Sequence, residues 1–284
     1  MADPTRDETL SLLRWLLEAG ADEAIGEQPI NRFARASPLP EPSSRQSATT
    51  RSTLPPAFAE ASAGKQGEGR KISAEAVSLS TAPGAARALA ASCTTLAELR
   101  TALGNFDGCE LKRTAKNTVF ADGTPEGRIM LIGEAPGREE DERGLPFVGR
   151  AGQLLDKMLG AIGLDRSKVY ITNVLNWRPP QNRDPSPEEA AACLPFLHRH
   201  IELADPRLMI LLGAVSVRHV LGVTDGILRL RGNWQFYQNG QLGHAIPVMP
   251  TLHPAYLLRQ TAAKRLAWRD LLTISDKVTE LGLA

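Results

Sequence analysis

The sequence has 284 residues, 42% of them hydrophobic, which is enough for one large domain or two small ones. Lysine and arginine total 33 against 32 aspartate and glutamate, and a net charge of +1 excludes charge-driven wrapping of nucleic acid while leaving a local basic groove open. No run approaches the roughly 18 apolar residues of a membrane span, so no membrane partner is expected. The first residues, MADPTRDETLSLLRWLLEAG, place acids ahead of the apolar side chains with no small-residue cleavage site, and read as no secretory leader. Leu10, Leu13, Leu16 and Leu17 then fall at helical spacing beside Trp15, predicting a short amphipathic helix within residues 1–26. It reads as a weakly docked terminus more readily than as a partner-binding motif. Residues 27–85, with stretches such as PLPEPSSRQSATTRSTLPP, carry too little apolar surface to offset their ordering entropy and are expected to be a disordered linker.

Residues 86–284 read as one folded domain. AARALAASCTTLAELRTALGNF predicts two helices, the second capped by Thr94 or Thr95 with Glu98 as the reciprocal acid. Four continuous apolar runs follow as strands: Arg128–Ile132, Val169–Thr172, Arg207–Leu212 and Ile246–Met249. Between and after them lie the helical segments AGQLLDKMLGAIGL, SPEEAAACLPFLHRHIELA (Ser186 as N-cap), AVSVRHVLG, and a terminal helix with Leu266, Trp268, Leu271 and Leu272. Strands apolar on both faces and separated by helices predict an α/β fold: a three-layer helix–sheet–helix sandwich around a four-stranded parallel sheet.

Cys93, Cys109 and Cys193 include no CxxC pair; they are too few for a disulfide framework and suit a reducing cytoplasm. His198, His200, His219 and His244 read as ordinary polar residues, and no metal-ligand spacing is present, so no metal site is expected.

In an open parallel sheet, ligands bind beyond the carboxyl ends of the strands. Strand one runs into GEAPGREEDERGLPFVG, strand two into TNVLNWRPPQNRDPSP and strand four into PTLHPAYLLR, while strand three ends in plain Gly213-Ala214. The first loop lacks both GxGxxG spacing and a Walker lysine, and its carboxylates would repel phosphate. Gly133, Pro136 and Gly137 shape a tight turn that holds Glu134 at the strand end, whereas Glu139 and Glu142 read as a solvated acidic turn. His253, fixed by Pro254, is placed to donate a hydrogen bond to charge developing on a leaving group.

These three segments, GEAPGREEDERGLPFVGRAGQLLD, VYITNVLNWRPPQNR and HPAYLLR, resemble the family 4 uracil-DNA glycosylases of the uracil-DNA glycosylase superfamily, from about Phe106 to the C-terminus. The resemblance implies a monofunctional DNA glycosylase of base excision repair that hydrolyses the bond between uracil and its sugar and leaves an abasic site. Other deaminated or damaged bases stay open as substrates. Its partner would be uracil-containing DNA, single- or double-stranded, met by a monomer in a bacterial cytoplasm and associated with the nucleoid through DNA. The alternative is a noncatalytic DNA-damage or abasic-site binding protein on the same fold.

Carried over by motif, Phe147 stacks on the flipped base, Asn173 reads its edge, and Gly133 and Ala135 complete the substrate-binding set. His253 would stabilise the uracil anion, and Glu134 or Glu140 would orient water or balance the sugar cation. Arg178, Arg183 and Arg259 are the candidates for phosphate contacts. Tyr256, Leu257 and Leu258 are candidates for a wedge into the stack, with the start of a packed helix as the alternative for Leu258. The family generally holds a four-iron, four-sulfur cluster on four cysteines. Here Phe106 and Trp177 stand at two of those positions while Cys109 and Cys193 keep the others, so no cluster and no cofactor are expected. A crosslinking branch carries GEQPG and a KRRIH insertion; this sequence has GEAPG and no such insertion, so covalent trapping is not expected.

Overall fold

The computed structural model describes residues 74–283; the helix expected within residues 1–26 and the linker as far as residue 73 lie outside them. The first described element, α1 (Ala74–Ser92), starts inside the stretch that composition assigns to the linker. Ala82, Ala86 and Ala90 recur every fourth residue and are all buried, a stripe of small side chains packed against α6 (Pro187–Ala204). In α2 (Leu96–Asn105) both threonines share the capping. Thr95 Oγ1 accepts the Glu98 amide at 3.1 Å, and the Glu98 carboxylate accepts from the amide and hydroxyl of Thr94. After a single turn, α3 (Leu111–Thr114), the chain enters the sheet.

The four expected strands are present as β2 (Ile129–Gly133), β3 (Tyr170–Asn173), β4 (Leu208–Leu212) and β6 (Ile246–Thr251), all parallel. Two short antiparallel strands extend the expected four to six, β1 (Asp122–Gly123) and β5 (Gln235–Tyr237), giving the order β1-β3-β2-β4-β6-β5. Alternate residues of the central strands face opposite layers. Met130 and Ile132 join a core with Leu99, Phe196 and Ile201, whereas Ile129 and Leu131 join one with Leu155, Trp268 and Ile274. The first layer is α1, α2, α6 and α7 (Ala214–Leu221). The second is α5 (Arg150–Gly160), α9 (Pro254–Arg259) and α10 (Lys264–Glu280), while α4 (Arg138–Arg143) and α8 (Ile227–Leu230) are short connectors. Burial on both faces explains why these strands read as unbroken apolar runs. Ser186 caps α6 as expected, in a reciprocal pair with Glu189. Among the described residues, no helix is long and apolar enough to cross a membrane.

Candidate active site

The chain passes from β2 to β3 on one side and then crosses back to β4 on the other side of β2, and this reversal of direction opens a crevice at the carboxyl end of β2. A cavity of about 260 Å³ lies there, bringing together Glu134, Phe147, Asn173 and His253 from three loops far apart in sequence. Ala135 and Arg259 also line it, and Gly133 forms part of its wall.

Asn173 is the last residue of β3 and pairs in register with Gly133. The ladder continues past both strand ends: the amides of Val174 and Leu175 donate to the carbonyls of Gly133 and Glu134, each at 3.0 Å. The carboxamide is thereby held in a buried position, yet among the described residues no donor reaches its Oδ1. Such an acceptor in a cavity wall is one suited to a ligand's N–H. Gly133 permits the arrangement, because a Cβ there would stand 2.4 Å from that oxygen and 2.5 Å from Phe147 Cζ.

Phe147 is a loop residue, not part of a core strand. Its φ of +54° lies in the left-handed region, which costs a residue with a Cβ about 1–2 kcal/mol. The ring comes to 5.6 Å from the His253 ring, centroid to centroid, at a tilt of 32°. Gly152 admits the Phe147 carbonyl, which would lie 1.7 Å from any Cβ at that position.

His253 caps the N-terminus of α9, its Nδ1 accepting from the Ala255 amide at 3.1 Å. The proton of the neutral ring therefore sits on Nε2, leaving one donor for the cavity. Burial, and secondly the charge of Arg259, lower its pKa to about 4, so the ring is neutral at pH 7. Gly213 backs it: with φ +94°, its Cβ position is 3.0 Å from His253 Cβ. The end of strand three is thus less plain than the sequence suggests. Two residues before the imidazole, Thr251 Oγ1 donates to Asp270 Oδ2 at 2.6 Å, and Arg231 pairs with the same carboxylate. Gly213 lies against His253, while Asp270 and Arg231 tie the end of β6 to α10, and none of the three belongs to a motif.

Glu134 is partly buried, and its pKa is raised, first by burial and then by Asp184, against an opposing pull from Arg218. Glu134 lines the cavity, where a carboxylate can accept from water or face a cation. Glu140 has another task from the catalytic one considered above. Its Oε2 accepts from the Gly137 amide, and its Oε1 from the amides of Val148 and Gly149 at 3.0 and 2.8 Å, tying the two halves of the first motif together. A carboxylate so committed positions the loop, and the residue lines the cavity as well.

The rim departs from the sequence reading in two places. Leu257 is 0% exposed and belongs to the core below α9, so it cannot be the wedge; Tyr256 and Leu258 are partly buried against the same core. A turn of helix rotates successive side chains by about 100°, which sends one of three neighbours inward. Arg183 is paired fork to fork with Glu189, at 2.9 and 2.5 Å, and its guanidinium serves the start of α6 rather than standing free for phosphate. Arg259 is exposed, and Arg178 is partly buried with its Nε donating to Asn182.

A larger groove of about 1190 Å³ opens between α1, α6 and β5. Its polar side chains are engaged with one another: His198 pairs with the Tyr237 hydroxyl at 3.0 Å, Asn239 donates to Glu202, and Arg199 donates to the Cys93 carbonyl. It gathers no converging set comparable to that of the smaller cavity.

The residues at the four cluster positions do not fit a four-sulfur ligand set. The Phe106 ring packs on Phe196 at 5.1 Å, and the Trp177 indole is buried with Nε1 donating to Thr118 at 3.0 Å. Cys109 and Cys193 are buried and hydrogen-bond each other, an arrangement that pushes the Cys193 thiol up. Two sulfurs and two aromatic rings supply half the thiolates such a cluster requires.

Residues 120–272 match the family model described as the uracil DNA glycosylase superfamily. The chain is 42% identical to the type-4 uracil-DNA glycosylase of Thermotoga maritima over 166 residues, which cover 57% of this chain and 84% of the relative. It is 39% identical to the type-4 uracil-DNA glycosylase of Pyrobaculum aerophilum over 178 residues, 62% of this chain and 91% of the relative. A type-5 uracil-DNA glycosylase from the same archaeon is 30% identical over 152 residues, 48% and 64% of the two chains. Family model, identities and the site's three converging loops agree: the chain belongs to the uracil DNA glycosylase superfamily and stands within it beside the type-4 enzymes.

Proposed function

We propose that this protein excises uracil from DNA as a monofunctional glycosylase, leaving an abasic site, without a cofactor. The observation that carries the reading is the buried Asn173 carboxamide, its Oδ1 unclaimed by the protein, facing the cavity shared by Phe147 and His253. A deoxyuridine flipped from the stack would lie against the Phe147 ring. Asn173 Oδ1 then accepts from uracil N3–H while its amide nitrogen donates to O4; cytosine presents the opposite polarity at both atoms and is rejected.

As the glycosidic bond lengthens, negative charge gathers on the base and positive charge on the sugar. Neutral His253, with its proton on Nε2, donates toward O2 and stabilises the departing anion, an interaction worth about 3–4 kcal/mol if it resembles other oxyanion donors. Glu134 orients the attacking water or balances the sugar cation. Among the described residues no lysine lines the cavity to attack the sugar as an amine, which supports hydrolysis without strand cleavage. Packed aromatic rings at two of the four cluster positions support a frame that needs no iron, and three free cysteines fit a reducing cytoplasm. We place the enzyme there as a monomer.

The test is base release from uracil-containing single- and double-stranded oligonucleotides, followed by alkali. Scission only after alkali is expected, largely lost in His253→Ala and Asn173→Asp. Scission before alkali would refute the monofunctional assignment, and tight binding with no released uracil would refute catalysis.

A further inference from the structure

We infer that Arg166 is the positioning residue that keeps Phe147 in place for the flipped base, acting through the backbone of its loop. The inference rests on the uracil reading above and adds to it a residue outside all three motifs.

Phe147 occupies the left-handed region at φ +54°, a conformation that an aromatic residue holds only when its surroundings over-determine it. The two peptide carbonyls on either side of that strained residue both turn to one guanidinium. Arg166 Nη2 donates to the Phe147 carbonyl at 2.5 Å, and Nη1 donates to the Pro146 carbonyl at 3.2 Å. The guanidinium is itself fixed from two directions. Nη1 also meets Asp122 Oδ2 at 2.5 Å, from the edge strand β1, and Nε donates to Asp156 Oδ1 at 2.9 Å, from α5.

Every nitrogen of the fork is therefore used, two carboxylates aiming it and two carbonyls receiving it. On the far side of Phe147, Glu140 holds the amides of Val148 and Gly149. The residue is clamped by an arginine on its carbonyls and a glutamate on the amides that follow. Releasing the ring from the cavity would break charge-assisted hydrogen bonds on both flanks. Arg166 does not line the cavity, so it touches neither base nor reacting atoms. Lysine could not replace it, because a single ammonium cannot bridge two carbonyls and two carboxylates in one plane.

The experiment is a double-mutant cycle on single-turnover uracil excision, using the full chain, with Arg166→Gln, Phe147→Ala and the double variant, and with Arg166→Lys beside them. Melting curves check that each variant folds. Arg166→Gln and Arg166→Lys are each expected to slow excision by about 10–100-fold, the scale of an ångström-level misplacement. Arg166→Gln should have no further effect once Phe147 is already alanine. A general structural role would instead slow both backgrounds equally, and that additive result overturns the inference, as does wild-type speed in Arg166→Lys. Should Arg166→Gln fail to fold, Asp156→Asn removes one aiming carboxylate and runs the same cycle. No uracil release by the unmodified protein would sink the glycosylase reading and this inference with it. Full release with an additive cycle sinks the Arg166 inference alone.

Discussion

Replacing Gly133 with alanine inserts one methyl group between the two side chains proposed to meet the base. The added carbon would stand 2.4 Å from Asn173 Oδ1, 2.5 Å from Phe147 Cζ and 2.7 Å from Phe147 Cε2. Ordinary contact begins near 3.4 Å, so the carboxamide must retreat by 3.4 − 2.4 = 1.0 Å, and the ring by nearly as much. Neither can yield easily. Asn173 is locked in the ladder between β2 and β3, and Phe147 sits on a clamped backbone. Gly133 does not have positive φ, so alanine fits the backbone and the strand itself should persist. Overpacking of this kind costs about 1–3 kcal/mol of stability. The chemical step should suffer separately, since a misplacement of about 1 Å costs roughly 100-fold in rate, or about 2.7 kcal/mol of barrier. Single-turnover excision measured below the melting temperature reads this directly. A rate within about threefold of the unmodified protein would refute the crowding argument, because it would mean that base recognition tolerates the displacement.

The pH profile tests the state of His253. Its pKa is lowered from 6.5 to about 4, so its own ionisation should leave no break near 6.5; a break there that persists in Glu134→Gln, which removes the carboxylate whose pKa burial raises, would refute the neutral-donor role. Stability should follow the same linkage. The unfolded chain takes up the proton first, so stability present above pH 6.5 is lost as the pH falls from 6.5 toward 4, by up to about 1.4 kcal/mol per pH unit for each histidine. His200, buried against Phe120 and Tyr170 with its pKa near 3, adds to that slope, and urea melts at pH 7 and pH 5 measure the sum. Leu257→Ala should lower stability by about 2–5 kcal/mol, as for any fully buried leucine, with the loss visible in thermal melts; an unchanged melt with weakened DNA binding would restore it as the wedge. Anaerobically purified protein should contain no stoichiometric iron and show no brown colour, and four-iron stoichiometry by metal analysis would overturn the cofactor-free proposal.

The four central strands were legible because each carries a run of buried apolar residues, a consequence of helices on both faces. β1 and β5 were not, since two and three residues at a sheet edge carry no period of their own and are recruited by the strand beside them. The start of α1 was hidden by composition. Its Ser, Ala and Pro resemble linker, although the buried spacing of Ala82, Ala86 and Ala90 was there to be read. At the site, side chains that meet the base stood out because their motifs place them at strand ends. Arg166 did not, and Glu140 was singled out for its charge rather than for the amides it holds, because nothing in a residue type announces that it will hold a carbonyl or an amide.

Phe106, Phe196 and Trp177 share one buried core and join distant stretches of the chain by apolar packing and an indole hydrogen bond. Under the cofactor-free proposal, such packing would leave no metallocentre for a chelator to strip or peroxide to dismantle, and a newly made copy would wait on no assembly machinery. A repair protein framed this way would remain in service through iron starvation and oxidative attack, conditions under which a relative built on sulfide and iron would fall out of use.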